Sequence, residues 1–407
     1  MAFKNSQTKN GSYISHDLSF INADNTVANG YDVTTEPSNE TKITASDGAA
    51  NDYFGYSVAI GYGRIVVGAI YDDDDGSNSG SAYIFDLDGT QLAKITASDA
   101  SDSDYFGNSV SIGSGRIVVG AYGANSTNGA AYIFDLNGNQ IAKITASDGA
   151  SNDKFGISVA VGSGRIVVGS DDDDNGADSG SVYIFDLDGN QLAKIKPSDG
   201  AAYKYFGNSV AIGCGRIVVG AAFDDDNGSG SGAAYIFDLD GNELAKITAS
   251  DGDVNDYFGR SVAVGLNRIV VSAYGDSDNG LYSGSAYIFD LNGNQLAKIK
   301  PSDGAVMDAF GYSPIAIGSG RIVVGSLFDD DNGSSSGSAY IFDLDGNELA
   351  KITASDGASD DQFGCSAAVG SGRIVVGAFG DDDNGSSSGS VYIWETPVTQ
   401  HILDIFD

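Results

Sequence analysis

Short apolar runs punctuated by Gly, Ser, Asp and Asn follow one another along most of this chain. A representative stretch, Phe54–Asp99, reads FGYSVAIGYGRIVVGAIYDDDDGSNSGSAYIFDLDGTQLAKITASD. Four runs in it are rich in Val, Ile, Tyr and Phe and are bounded by turn residues, which predicts four strands. They are Phe54–Ile60, Arg64–Ala69, Ala82–Leu87 and Gln91–Thr96. The first two are joined by a tight Gly-containing turn. The last two are joined by an Asp-Gly hairpin at Asp88–Gly89, where glycine accepts a positive φ.

The pattern repeats. Phe-Gly recurs at Phe54, Phe106, Phe155, Phe206, Phe258, Phe310 and Phe363, at spacings of 49 to 53 residues. A period near 50 with four short strands per copy predicts an all-β, seven-bladed β-propeller of four-stranded antiparallel blades. The first strand carries small residues such as Gly55, Ser57 and Ala59, suited to the crowded axis. The last, QLAKIT, carries Gln91 and Lys94 and suits the outer edge. Setting Arg64 opposite Asp86 pairs Val66 with Ile84, Val67 with Tyr83 and Gly68 with Ala82. The same register predicts Arg116–Asp135, Arg165–Asp186, Arg216–Asp238, Arg268–Asp290, Arg321–Asp343 and Arg373–Glu395 as structural ion pairs.

The seventh copy stops after its third strand, at Tyr392–Glu395. The missing outer strand stands instead ahead of the first Phe-Gly, as Thr41–Ala45 (TKITA). Residues 41–45 are therefore expected to close the seventh blade and so the ring. This divides the chain into an N-terminal arm (1–39), the propeller (40–396) and a C-terminal tail (397–407). The arm is expected to attach the propeller to protein subunits of a larger assembly.

These motifs resemble the FG-GAP repeat, found in the propellers of integrin α-subunits. The resemblance covers about residues 41–396 and is carried by Phe-Gly at each blade start and by VVGA, for example Val66–Ala69, without the family's proline. It implies the propeller fold and says little about function, because one fold hosts many functions. In integrin propellers calcium sits in a DxDxDG loop between strands one and two. Here that loop is only a short Gly turn, so that site does not carry over.

Acidic residues lie elsewhere. Strand direction places the connection between strands two and three on the same face as the crossover between blades. The former contributes Asp72, Asp74, Asp171, Asp173, Asp224, Asp226, Asp276, Asp278, Asp329, Asp331, Asp381 and Asp383. The crossovers add Asp47, Asp148, Asp199, Asp251, Asp303 and Asp356. The second blade breaks the pattern with the acid-free loop YGANSTNGA. Calcium takes six to eight oxygen ligands, so this face is a candidate calcium site. The alternative is a solvated acidic rim.

The formal charge is −35. Such a surface repels nucleic acid and anionic membranes, and no apolar run is long enough for a membrane helix. His16 and His401 lie outside the blades, and Cys214 and Cys365 occupy different repeat positions, so neither a catalytic triad, a zinc cluster nor a disulfide framework is expected. Paired carboxylates recur in blade after blade, whereas an active site breaks symmetry, so no enzyme is expected. A host surface glycan or protein is the expected partner. The N-terminal stretch lacks the apolar run of a secretory signal, which points to a bacteriophage virion surface component or an extracellular protein. The alternatives are a secreted, calcium-dependent bacterial adhesin and a carbohydrate-active enzyme.

Overall fold

The computed structural model describes residues 37–172 and 176–396, together with the backbone of 13–14 and 20–21, which form a two-residue antiparallel pair. Seven four-stranded antiparallel sheets are arranged as the blades of a ring. In the first blade the strands are Phe54–Gly61, Arg64–Ala69, Ser81–Phe85 and Gln91–Ile95, from axis to rim. Val66 faces Ile84, Val67 faces Tyr83 and Gly68 faces Ala82, as the sequence register requires.

Strand ends follow local chemistry. The third strand stops at Phe85 because Asp86 turns the chain: its Oδ1 accepts the backbone N–H groups of Asp88 and Thr90 at 3.1 and 2.8 Å. Gly89 then takes φ 85° to close the hairpin. The first strand begins with a bulge between Phe54 and Ser57, where Gly55 has φ 91°. In four blades the first strand is recognisable only beyond that bulge, for example from Ser158 or Ser366.

The seventh blade is completed by Ser38–Ile43. This strand pairs with Ser390–Glu395, with Lys42 opposite Tyr392 and Ile43 opposite Val391. The ring is thus closed by a strand from the front of the chain.

Apolar side chains on both faces of each sheet pack against the neighbouring blades. Val66, Ala82 and Ile84 of the first blade join Phe106, Ile117, Val119 and Tyr132 of the second in one buried cluster. Ile43, Val375 and Val391 of the seventh join Phe54, Ile65 and Tyr83 of the first in another. The Phe-Gly ring stays within its own blade, with Phe54 edge-on to Tyr83 at 5.4 Å and to Phe85 at 5.8 Å. Its glycine serves the blade interface. The Gly107 carbonyl lies so close to Gly68 that a Cβ there would overlap it, and the same carbonyl accepts the Ser57 hydroxyl at 2.7 Å.

One expectation is corrected. The arginines at the turn ends hold the expected strand register, but all except Arg373 lack the expected acid partner. Arg116 reaches Asp188 rather than Asp135, Arg165 reaches Asp240 rather than Asp186, and Arg268 reaches Asp345 rather than Asp290. Arg373 alone keeps its expected partner, Glu395 at 3.3 Å, and also reaches Asp88. Arg64, Arg216 and Arg321 bind carbonyls, not Asp86, Asp238 and Asp343. The in-blade aspartates are occupied with capping their own hairpins, so the long guanidinium arms bridge to the next blade.

Candidate functional site: the acidic face and the axial cavity

The crossover and the connection between strands two and three do share one face, and they meet around a tyrosine–lysine pair. Tyr287 on the third strand of the fifth blade lies directly opposite Lys298 on the fourth, so both side chains project toward the same edge. The Tyr287 hydroxyl lies 2.9 Å from Asp251 Oδ1 and 3.1 Å from Asp276 Oδ2. Lys298 Nζ donates to Asp251, Asp276 and Asp278 at 2.8, 2.7 and 2.9 Å. It lies 5.3 Å from the centre of the Tyr287 ring. Asp276 is buried, and its Oδ1 accepts the Asp278 N–H, so the same residue shapes the loop and binds the ammonium.

Burial pulls the Lys298 ammonium toward deprotonation, but the three carboxylates outweigh it and hold its pKa well above the ordinary value. Burial likewise pushes the Asp251 carboxyl up, and Lys298 and Tyr287 together bring it below the ordinary range. The group is an ion cluster in which one ammonium holds three carboxylates together.

The arrangement recurs. Asp72 and Asp74 meet Lys94, Asp329 and Asp331 meet Lys351, and Asp381 and Asp383 meet Lys42 from the closing strand. Asp224 and Asp226 meet two lysines, Lys246 and the buried Lys204. Lys204 stands where the other blades have a buried aspartate such as Asp52 or Asp256.

The third blade is shifted by one residue, because its second strand is followed by one residue fewer before the loop. Asp172 therefore takes the place of Asp72 and binds Tyr183 and Lys194, whereas Asp171 pairs with Lys154 at 3.0 Å. Asp173 lies outside the described residues. In the second blade, left-handed backbone at Asn125 and Ser126 brings the Asn125 amide to Lys143, with Asp99 as the single carboxylate partner.

Three groups bring three carboxylates close enough to hold one metal ion: Asp199 with Asp224 and Asp226, Asp251 with Asp276 and Asp278, and Asp356 with Asp381 and Asp383. Each of these triads also surrounds a lysine, namely Lys246, Lys298 and Lys42. A divalent cation would have to displace that ammonium. The lysine was legible in QLAKIT as an edge residue only; the cross-strand pairing with the tyrosine is the signal that places it over the aspartates.

Inside the ring of clusters lies an aromatic rim. Tyr53 stacks on Phe379, Tyr105 on Tyr122, and Tyr257 on Tyr274, each at about 5 Å between centroids. In the third blade the same two positions hold the Lys154–Asp171 ion pair. The rim surrounds one mouth of an axial cavity of about 960 Å³, walled by the first strands of all seven blades. Cys365, buried at this mouth, has its thiol pushed up to about 12 by burial. Both cysteines are free. Among the described residues no helix is long and apolar enough to cross a membrane.

No curated protein sequence matches the chain. A model of the FG-GAP repeat matches seven times, at residues 37–85, 90–134, 139–185, 190–237, 242–289, 294–342 and 347–394. Each match starts on the outermost strand of one blade and ends on the third strand of the next, so the offset that closes the ring is built into the repeat itself. Seven such matches spanning the whole ring show that the chain belongs to the FG-GAP repeat family.

Proposed function

We propose that the chain is a non-catalytic binding propeller that presents its loop face to a protein or a glycan, as a surface component of a larger assembly such as a virion. The observation that carries this reading is the commitment of the carboxylates. In six of the seven blades at least two aspartates are held by the blade's own tyrosine and lysine, for example Asp251 and Asp276 on Tyr287 and Lys298. Such groups build a rigid platform, and the exposed aromatic side chains near the axis, such as Tyr56 and Tyr312, are left to make contacts. In this reading residues 1–39 attach the platform to its assembly.

The test is to immobilise the full chain and screen it against glycans and against proteins of the host surface. Retention with no chemical change in the retained molecule supports the proposal. Turnover of any glycan, or no retention of anything, overturns it.

The three carboxylate triads favour one second reading, a calcium-dependent adhesin. It requires calcium to take the place of Lys42, Lys246 or Lys298. Retention abolished by a chelator and restored by calcium would select it over the first.

A further inference from the structure

One position of the repeat holds five residue types in seven blades. The residue that follows Phe-Gly is Tyr56, Asn108, Ile157 and Asn208 in the first four blades, then Arg260, Tyr312 and Cys365. The first strand starts on the loop face, so these seven residues form a ring at the mouth of the axial cavity, and all seven line it. Most other strand positions keep their residue type from blade to blade. Here the symmetry breaks, and a closed ring of equivalent sheets has only this axial place where one ligand meets all seven.

The charge of this cavity is opposite to that of the chain. The protein has 56 acidic residues and a formal charge of −35. No aspartate or glutamate is found among the described residues that line the cavity, but Lys154 and Arg260 are. Lys154 is spent on Asp171 at 3.0 Å. Arg260 has no carboxylate partner among the described residues. Its Nη1 donates to Asn208 Oδ1 at 2.9 Å, and its guanidinium lies 4.6 Å from the centre of the Tyr312 ring. An amide and an aromatic face thus hold the guanidinium in place and leave its charge unneutralised.

Tyr56, Tyr312 and Phe328 are exposed around it. Aromatic faces stack on the apolar face of a pyranose ring, and a fixed guanidinium binds a carboxylate through two parallel hydrogen bonds.

We infer that the mouth of the axial cavity binds a carboxylate-bearing sugar residue at the tip of a glycan, with Arg260 on the carboxylate and Tyr312 and Tyr56 against the ring. The inference rests on the binding function proposed above and names its ligand class. Long-range repulsion between the acidic chain and an acidic glycan is screened at physiological salt, where the Debye length is about 8 Å, so the local guanidinium decides.

The experiment is calorimetric titration of the full-length chain with sialic acid-terminated and uronic acid-terminated oligosaccharides, each beside its neutral counterpart. Binding of at least one acidic glycan about tenfold or more tightly than its neutral counterpart is expected. Arg260→Gln should erase that preference, Arg260→Lys should restore part of it, and Tyr312→Ala should weaken acidic and neutral glycans alike. Melting curves of the variants identify any that fail to fold, and Arg260→Lys then carries the comparison. Equal affinity for acidic and neutral glycans, or an acidic preference that survives Arg260→Gln, overturns the inference but leaves the binding function standing. Failure to bind any glycan overturns the inference as well, and if no protein partner is retained either, the binding function falls with it.

Discussion

The Lys298 ammonium lies 2.7 Å from the Asp276 carboxylate, at the point where Asp251 and Asp278 also converge. Removing the ammonium leaves the buried Asp276 carboxylate uncompensated, which costs more than the partly exposed cluster itself contributes. Lys298→Met is therefore expected to destabilise the chain by about 1–3 kcal/mol. The emptied triad should then bind a divalent ion, so millimolar calcium should raise the melting temperature of the variant and leave the parent unchanged. A parent chain whose melting temperature drops on chelation would show that a metal, not lysine, is the resident cation.

Asp52 and Asp256 point to a pH dependence of opposite sign from that of their neighbours. Burial pushes both carboxyls up to about 6, whereas the ordinary value is 3.8. The folded chain binds these protons more tightly than the unfolded chain does. Their contribution to stability is therefore complete below about pH 4 and lost as the pH rises through about 6. Asp52→Asn keeps an acceptor for the Ala49 N–H and removes the charge. It should stabilise the chain by about 1–3 kcal/mol at pH 7 and by almost nothing at pH 4. Asp251 and Asp303, held below the ordinary range, behave oppositely: their contribution is present above about pH 4 and lost as the pH falls. Urea unfolding at the two pH values separates the effects.

Two glycines test the closeness of the blades. A Cβ on Gly68 would overlap the Gly107 carbonyl of the next blade, whereas a Cβ on Gly115 meets nothing within 4 Å. Gly68→Ala should cost about 3 kcal/mol or prevent folding, because rigid backbone stands in the way. Gly115 has φ 73°, so Gly115→Ala should cost only about 1 kcal/mol, the strain of a left-handed alanine. Similar melting temperatures for the two variants would refute this account of the blade contact.

The closing strand can be supplied separately. A chain that starts at residue 46 lacks Ser38–Ile43 and leaves the edge of Ser390–Glu395 open. Its melting temperature should fall by about 5 °C or more, and a peptide of residues 37–45 should restore it. A truncated chain as stable as the parent would contradict the pairing of Lys42 with Tyr392.

Blade number, strand register and ring closure were legible in the sequence because each depends on repetition. A pairing that fits one copy has to fit the other six, so Val67 opposite Tyr83 requires Val376 opposite Tyr392. The acidic face was legible as a face but not as chemistry. Its partners are distant along the chain: Lys94 reaches back 47 residues to Asp47. Arg116 lies beyond any in-blade pairing rule, since its acid, Asp188, belongs to the next sheet. The axial mouth was hidden for the opposite reason. Repetition marks the residues that recur, and the position from Tyr56 to Cys365 carries its meaning in variation.

The strand that completes the seventh blade also sets a schedule for synthesis. Lys42 leaves the ribosome 314 residues ahead of its partner Asp356, and further still ahead of Ser390–Glu395, the strand its own strand pairs with. Until that segment emerges, Ser38–Ile43 has no sheet to join and must remain unpaired with the earlier blades, whose outer edges are chemically similar. The strand that closes the ring is therefore made before every other strand of the seven blades. Premature capture of that waiting ribbon by another copy's unfinished edge would give exchanged dimers, the characteristic misassembly for a ring fastened in this way.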